Sequence, residues 1–246
     1  AIMHDAFEPH FQPIARLDDG QHVGMEALVR WNHESRGLLT PRDFIGVGED
    51  SSLIEQVDWL MYGHVVSSMG DYPGQYMSIN VSPRHFLSDN FADRMLRMLD
   101  EANQDPRRLR IEITEVALIE DAPRALRILR ELRNHGIAAF LDDFGTGFSA
   151  LSYLHRFPIQ GLKIDRSFVS GLDGESSTES LALVRAILAM ALTLGIDTIA
   201  EGIETERQRQ ILVEQGCQFG QGYLLGMPAP SQRREASRRR HTQRVH

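Results

Sequence analysis

The 246-residue chain holds one cysteine, Cys217, which excludes an internal disulfide and a zinc site built from cysteines. It lacks a long apolar run. The longest, LALVRAILAMALTLGI at 181–196, is interrupted by Arg185, is too short to span a bilayer and reads as a buried helix. No signal peptide is visible, so a reducing, cytoplasmic setting is the expectation. The chain begins with Ala1 rather than Met, as expected of a piece of a longer protein. Phosphate-cradling and dinucleotide loops are absent, since the GTG at 145–147 matches neither pattern, and no serine sits in a G-x-S-x-G elbow. The ten histidines form no HExxH pair and show no His–Asp dyad, so they read as ordinary core or surface residues. Trp31 and Trp59 lie in apolar patterns and read as core.

Basic charge is also scarce. The net charge is −8, yet the segment 231–246, SQRREASRRRHTQRVH, holds six Arg and one Glu, which leaves −13 on residues 1–230. An acidic body argues against broad DNA or RNA binding through a basic groove and leaves room for metal cations to reverse the local field. The tail lacks an apolar period and reads as a flexible, solvated extension. Attraction to nucleic acid or anionic lipid is the competing reading.

Short β-branched runs alternate with helical patterns along the rest. FQPIARL (11–17) and GMEALVRW (24–31) flank DDGQH, which predicts an antiparallel hairpin. Helices are expected at 51–72, 89–103 (capped by Ser88), 122–135, 149–157, 178–195 and 205–216, with strands at 75–81, 109–115, 137–143, 161–165, 197–201 and 219–225. Pro123 and Gly136 are the start and stop residues expected of the third helix. Eight strands, most separated by a helix, predict a (β/α)8 barrel over 1–230 with the opening hairpin as an irregularity. A doubly wound open sheet is the alternative, but no Gly-rich fingerprint follows the first strand.

Alternation sorts the strand residues into two faces. Collecting the polar residues on inward faces and strand ends gives Glu26, Asn80, Glu112, Asp142, Asp143, Lys163 and Glu201. Five carboxylates in one mouth repel and raise one another's pKa, and divalent cations would resolve that repulsion. Oxygen-only ligands select Mg, Mn or Ca over Zn, and this many acids suggest two ions sharing one bridging acid. The competing reading is that each acid caps a helix or pairs with a surface arginine. The adjacency of Asp142 and Asp143 needs a bend after Asp142, with Phe144 and Gly145 opening the loop.

These residues lead to a family. The sequence closely resembles the EAL-domain family, the phosphodiesterases of the bacterial second messenger cyclic di-GMP. The naming motif stands as Glu26-Ala27-Leu28, and around it occur FQPI (11–14), INVS (79–82), EITE (112–115), DDFGTGFSAL (142–151), LKIDRSFV (162–169), AEGIET (200–205) and QGYLLG (221–226). The resemblance runs from about residue 7 to 230 and implies a TIM-like barrel with one antiparallel strand. It implies that Glu26, Asn80, Glu112 and Asp142 hold a first Mg2+ or Mn2+, and that Asp142 bridges to a second held also by Asp143 and Glu201. Lys163 matches a lysine that contacts the attacking water, and Glu201 also matches a residue regarded as a general base. Glu115 matches an anchor of the DFGTG loop, while Arg30, Gln221, Gln12 and Glu204 match positions near the substrate. A homodimer through the DFGTG-loop region is implied too, as are sensory or cyclase domains in a longer parent chain.

The departures are EDSSLI at 49–54 and Met227 where a basic residue is common; neither touches a metal ligand. The expected reaction is hydrolysis of cyclic di-GMP to linear pGpG. A non-catalytic cyclic di-GMP receptor is the rival, although such relatives usually lose ligands that are all present here. An enolase-like lyase would need a capping domain before the first strand.

Overall fold

The structure is a computed structural model describing residues 6–44, 52–145, 155–174 and 177–231. It opens with the expected hairpin. Strand β1 (Phe7–Arg16) and β2 (His22–His33) pair antiparallel from Phe7↔Trp31 to Ala15↔His22, and the turn between them uses Gly20 at φ +73°. A short β3 (Gly37–Leu39) adds to the outer edge of β2. Then follow α1 (Pro41–Phe44), α2 (Ser52–Ser68), β4 (Tyr76–Asn80), α3 (Pro83–Phe86), α4 (Phe91–Glu101), β5 (Leu109–Thr114), α5 (Glu115–Glu120) and α6 (Ala122–Asn134). The chain continues through β6 (Ala138–Phe144), β7 (Gly161–Ile164), α7 (Arg166–Ser170), α8 (Ser177–Leu194), β8 (Asp197–Ala200), α9 (Glu206–Glu214), β9 (Phe219–Gly220) and β10 (Ala229–Pro230).

Strands β2, β4, β5, β6, β7, β8 and β9 run parallel in that order, and antiparallel β1 closes the ring by pairing with both β9 and β2. This is the expected eight-stranded barrel with one reversed strand, and it removes the open-sheet alternative. Local signals act as expected: Asp121 accepts from the Arg124 amide at the start of α6, and Gly136 ends that helix at φ +93°. Thr205 and Gln208 form a full capping box on α9.

Three expectations change. The strand predicted at 219–225 shrinks to two residues because the chain turns at Gly222, where a Cβ would come within 2.2 Å of the Ile203 backbone. Helix α4 starts after Asn90 rather than Ser88, and neither residue's side chain caps it. The helix predicted at 149–157 lies mostly outside the described residues, and 155–157 are turn and bend.

The core has two parts. Outward strand faces and inward helix faces form the larger one, with Met77, Ile79, Ile111, Ile113, Leu141 and Leu162 all at most 2% exposed. Helix α8 belongs to it: Val184, Ile187, Leu188 and Ala191 are buried, although by length and composition alone this helix could cross a membrane. Inside the barrel a separate cluster of Ile14, Tyr76, Phe140 and Ile199 forms a floor. Its rings need space that glycines supply. A Cβ at Gly24 would lie 2.4 Å from the Tyr76 ring, and one at Gly161 would lie 2.1 Å from Phe140. The Arg110 guanidinium sits 3.4 Å from the Tyr76 ring centre and 4.6 Å from that of Phe140.

Candidate active site

The parallel pairing sets polar residues of neighbouring strands beside one another above this floor. Glu26 aligns with Ser78, Asn80 with Glu112, and Thr114 with Asp142. Lys163, 1% exposed, reaches into their centre. Its Nζ lies 2.6 Å from Glu201, 2.7 Å from Glu112, 3.1 Å from Glu26 and 3.5 Å from Asp142. Glu26 Oε1 accepts from Asn80 Nδ2 at 2.7 Å, and its Oε2 accepts from Gln221 Nε2 at 2.6 Å. All seven residues predicted for the barrel mouth line one cavity of about 1140 Å³.

Successive strand residues face opposite ways, so Asp142 and Asp143 could not share a mouth on a regular strand. Asp143 takes a left-handed conformation, φ +50°, and the β6–β7 pairing shifts register between Leu141 and Phe144. This bulge turns both side chains to one side. Carboxylate oxygens of Asp142, Asp143 and Glu201 thereby lie within 4.8 Å of one another. The expected bend is present, but the strand runs one residue past its expected end at Asp143, to Phe144, and Gly145 leaves it at φ +96°.

Crowding of like charges shows in the proton affinities. Burial pushes the Glu112 carboxyl well above its ordinary value, and the Glu26 charge adds to this. Burial also lifts Glu201 to about 8, with Asp142 and Glu26 reinforcing it against the pull of Lys163. Asp143 is raised by its partial burial and by Asp142. Burial would raise Glu26 as well, but Lys163, Asn80 and Gln221 outweigh it and hold that carboxyl below normal. Lys163 is pushed down by burial, yet its acidic neighbours outweigh this, so its ammonium is held well above the ordinary lysine range.

The remaining predicted residues fall in two groups. Gln12, Arg30, Glu204 and Gln221 line the same cavity. Gln221 Nε2 donates to Gln12 Oε1 at 3.0 Å, and Gln12 in turn donates to the Gly226 carbonyl at 3.0 Å, tying β1 to the turn after β9. Glu115 is buried at the start of α5, away from this cavity's lining. Residues 146–154 of the DFGTG segment and 232–246 of the tail lie outside the described residues, so loop anchoring, dimer pairing and the tail have no structural account.

Two features were missed. Ser78, whose hydroxyl donates to Glu112 Oε1, lies two residues before Asn80 on the inward face of β4, and alternation could have found it. A His–Asp pair does exist: His85 Nδ1 lies 3.3 Å from Asp58 Oδ2. Those residues sit on different helices, so no spacing in the sequence announces them.

The cluster suits a hard divalent cation on its own chemistry. Every carboxylate is an acceptor, five acids face one lysine, and buried Asp142 Oδ1 has no hydrogen-bond partner. Asn80, donating through its nitrogen, keeps its oxygen as a further ligand atom.

Comparison with known proteins adds context. The family model described as EAL domain matches residues 1–228. A signaling protein of Caulobacter vibrioides is 41% identical over 222 residues, covering 90% of this chain and 27% of its own length. The bifunctional diguanylate cyclase/cyclic di-GMP phosphodiesterase MucR of Pseudomonas aeruginosa is 36% identical over 233 residues, 93% of this chain and 34% of that protein. This chain thus spans about a third or less of each of those two proteins. Among solved structures, the PaMucR phosphodiesterase in complex with c-di-GMP has a TM-score of 0.88 at 35% identity, with 95% of this chain and 96% of that one covered.

Proposed function

This chain belongs to the EAL-domain family, and from that premise we propose that it is a metal-dependent phosphodiesterase that opens cyclic di-GMP to linear pGpG. The observation that carries the reading is four acids converging on buried Lys163 at the barrel mouth, with Asp143 beside two of them. Glu26, Asn80, Glu112 and Asp142 would hold one Mg2+ or Mn2+, and Asp142, Asp143 and Glu201 a second, with Asp142 shared. Such ions, when bound, supply a nucleophilic water at neutral pH and neutralise charge on the phosphate.

The chain's own groups do the rest. Lys163 stays cationic, so its ammonium can orient the attacking water and meet the negative charge that develops on the phosphate oxygens. Its position is fixed by the carboxylates around it. Glu201, lifted to about 8 in the metal-free protein, is assigned to the second ion, and a base role for it is the competing assignment. Gln221 and Gln12 steady Glu26 from the β1 side. Arg30 and Glu204, at the cavity rim, are assigned to the substrate. Glu115 is assigned to anchoring the DFGTG loop, through which two copies would pair. The relatives' greater length suits a parent chain with sensory or cyclase domains, and the setting proposed is cytoplasmic.

The deciding experiment incubates purified protein with cyclic di-GMP and Mg2+ or Mn2+, identifies products by mass spectrometry, and repeats the reaction with chelator. Metal-dependent pGpG is expected. Binding of the nucleotide without any pGpG would replace this reading with that of a receptor.

A further inference from the structure

A second cavity, of about 490 Å³, carries the opposite charge. Arg130, Arg133 and Asn134 of α6 line it together with His155, Arg156 and Pro158, and none of these lines the catalytic cavity. Helix α6 ends at Asn134, just before β6 begins at Ala138, and Pro158 stands three residues ahead of β7 at Gly161. The cavity therefore lies at the end of the barrel where the parallel strands start, whereas the carboxylates stand toward the end where they finish. Surface arginines of this chain often find an acid: Arg107 meets Asp105, Arg124 meets Asp89 and Arg209 meets Glu206. Arg130 and Arg133 are exposed, and among the described residues they form no ion pair. A helix C-terminus favours cations, which accounts for Arg133 in the last turn of α6 but not for Arg130 before that turn. The wall opposite α6 is fixed. Phe157 is 8% exposed and packs into the core, while Gln160 donates to the Pro158 carbonyl at 2.6 Å and accepts from the Ala139 amide of β6 at 2.7 Å.

We propose that this cavity binds a small phosphorylated molecule, its phosphate held by Arg130, Arg133 and Arg156. Residues three apart on a helix are neighbours, so Arg130 and Arg133 can both reach one group. A phosphate offers three oxygens to such forks, where a carboxylate offers two. Asn134 and His155 remain to hydrogen-bond the rest of the molecule. The volume falls within the range of about 300–1,000 Å³ usual for small-molecule sites. A nucleic-acid strand would run on past the cavity over an acidic body that repels it. The inference stands apart from the cyclic di-GMP reading.

Inorganic pyrophosphate would be titrated by calorimetry into the purified chain in chelator, so that no divalent ion draws it to the carboxylates. Saturable binding at one site is expected, and Arg130→Gln and Arg133→Gln should each raise Kd about tenfold. Tm and cyclic di-GMP hydrolysis should stay at parent values in both variants. No saturable binding, or binding that neither substitution weakens, overturns the inference. Sulfate or citrate bound as tightly as pyrophosphate also overturns it, leaving only a general attraction for anions. Vesicles containing phosphatidic acid form the last arm. Retention on them that depends on Arg130 and Arg133, without pyrophosphate binding, overturns the small molecule in favour of a lipid surface.

Discussion

Replacing Lys163 by Met separates the charge of that side chain from its bulk. Methionine fills a similar volume, so what disappears is the only ammonium among Glu26, Glu112, Asp142 and Glu201. Removing one partner of a buried ion pair costs about 3–5 kcal/mol because the other charge stays behind unpaired. Here the lower end applies. Burial already raises the proton affinities of Glu112 and Glu201, so these groups can take up protons and cap the penalty. A loss of about 3 kcal/mol corresponds to a fall of roughly 6–12 °C in Tm for a chain of this length.

The assay is urea unfolding at pH 8 with chelator, repeated with excess Mg2+ or Mn2+. Divalent ions at a hundredfold excess over Kd stabilise the native state by about 2.7 kcal/mol per site, and they should do more for the variant, whose missing cation they replace. The pH dependence has a definite sign. An acid whose folded pKa is raised binds its proton more tightly in the folded state, so stability of the metal-free protein falls as pH rises from about 4.5 through about 8, the range set by Glu201. The fall should be steeper in Lys163→Met. Equal stability of variant and parent in chelator, or metal stabilising the variant no more than the parent, would refute the reasoning.

Other substitutions test separate parts of the site. Glu26→Ala should abolish hydrolysis while circular dichroism stays native, and retained turnover would break the metal assignment. Gly161→Ala places a methyl 2.1 Å from Phe140, whose ring is confined by Arg110, and should cost about 1–3 kcal/mol by urea titration; a neutral result would mean that the floor is loosely packed. Asp143→Asn keeps a residue type tolerant of φ +50° but drops a charge, so weaker Mn2+ binding by calorimetry is expected without loss of stability. Undiminished Mn2+ affinity would remove Asp143 from the ligand set.

Much of this was legible because a barrel strand sorts side chains with a period of two. Glu26, Asn80, Glu112 and Lys163 could be placed on the inner face by alternation alone, and the structure draws them into contact there. Alternation cannot foresee a bulge, so the left-handed Asp143 and the strand running on to Phe144 were beyond it. The eighth strand was overread because FGQGYLL has strand composition, yet Gly222 must pass against Ile203. The Asp58–His85 contact forms only when two helices pack, and local patterns do not encode that meeting.

The floor of Ile14, Tyr76, Phe140 and Ile199 has a consequence for traffic. Among the described residues, it closes the polar storey from below with rings. Under the proposed reaction, ions, water and nucleotide would all approach from the side away from that floor, so the deepest cations would enter before the nucleotide. Turnover would then be paced by the order of that queue as well as by the chemistry at its base.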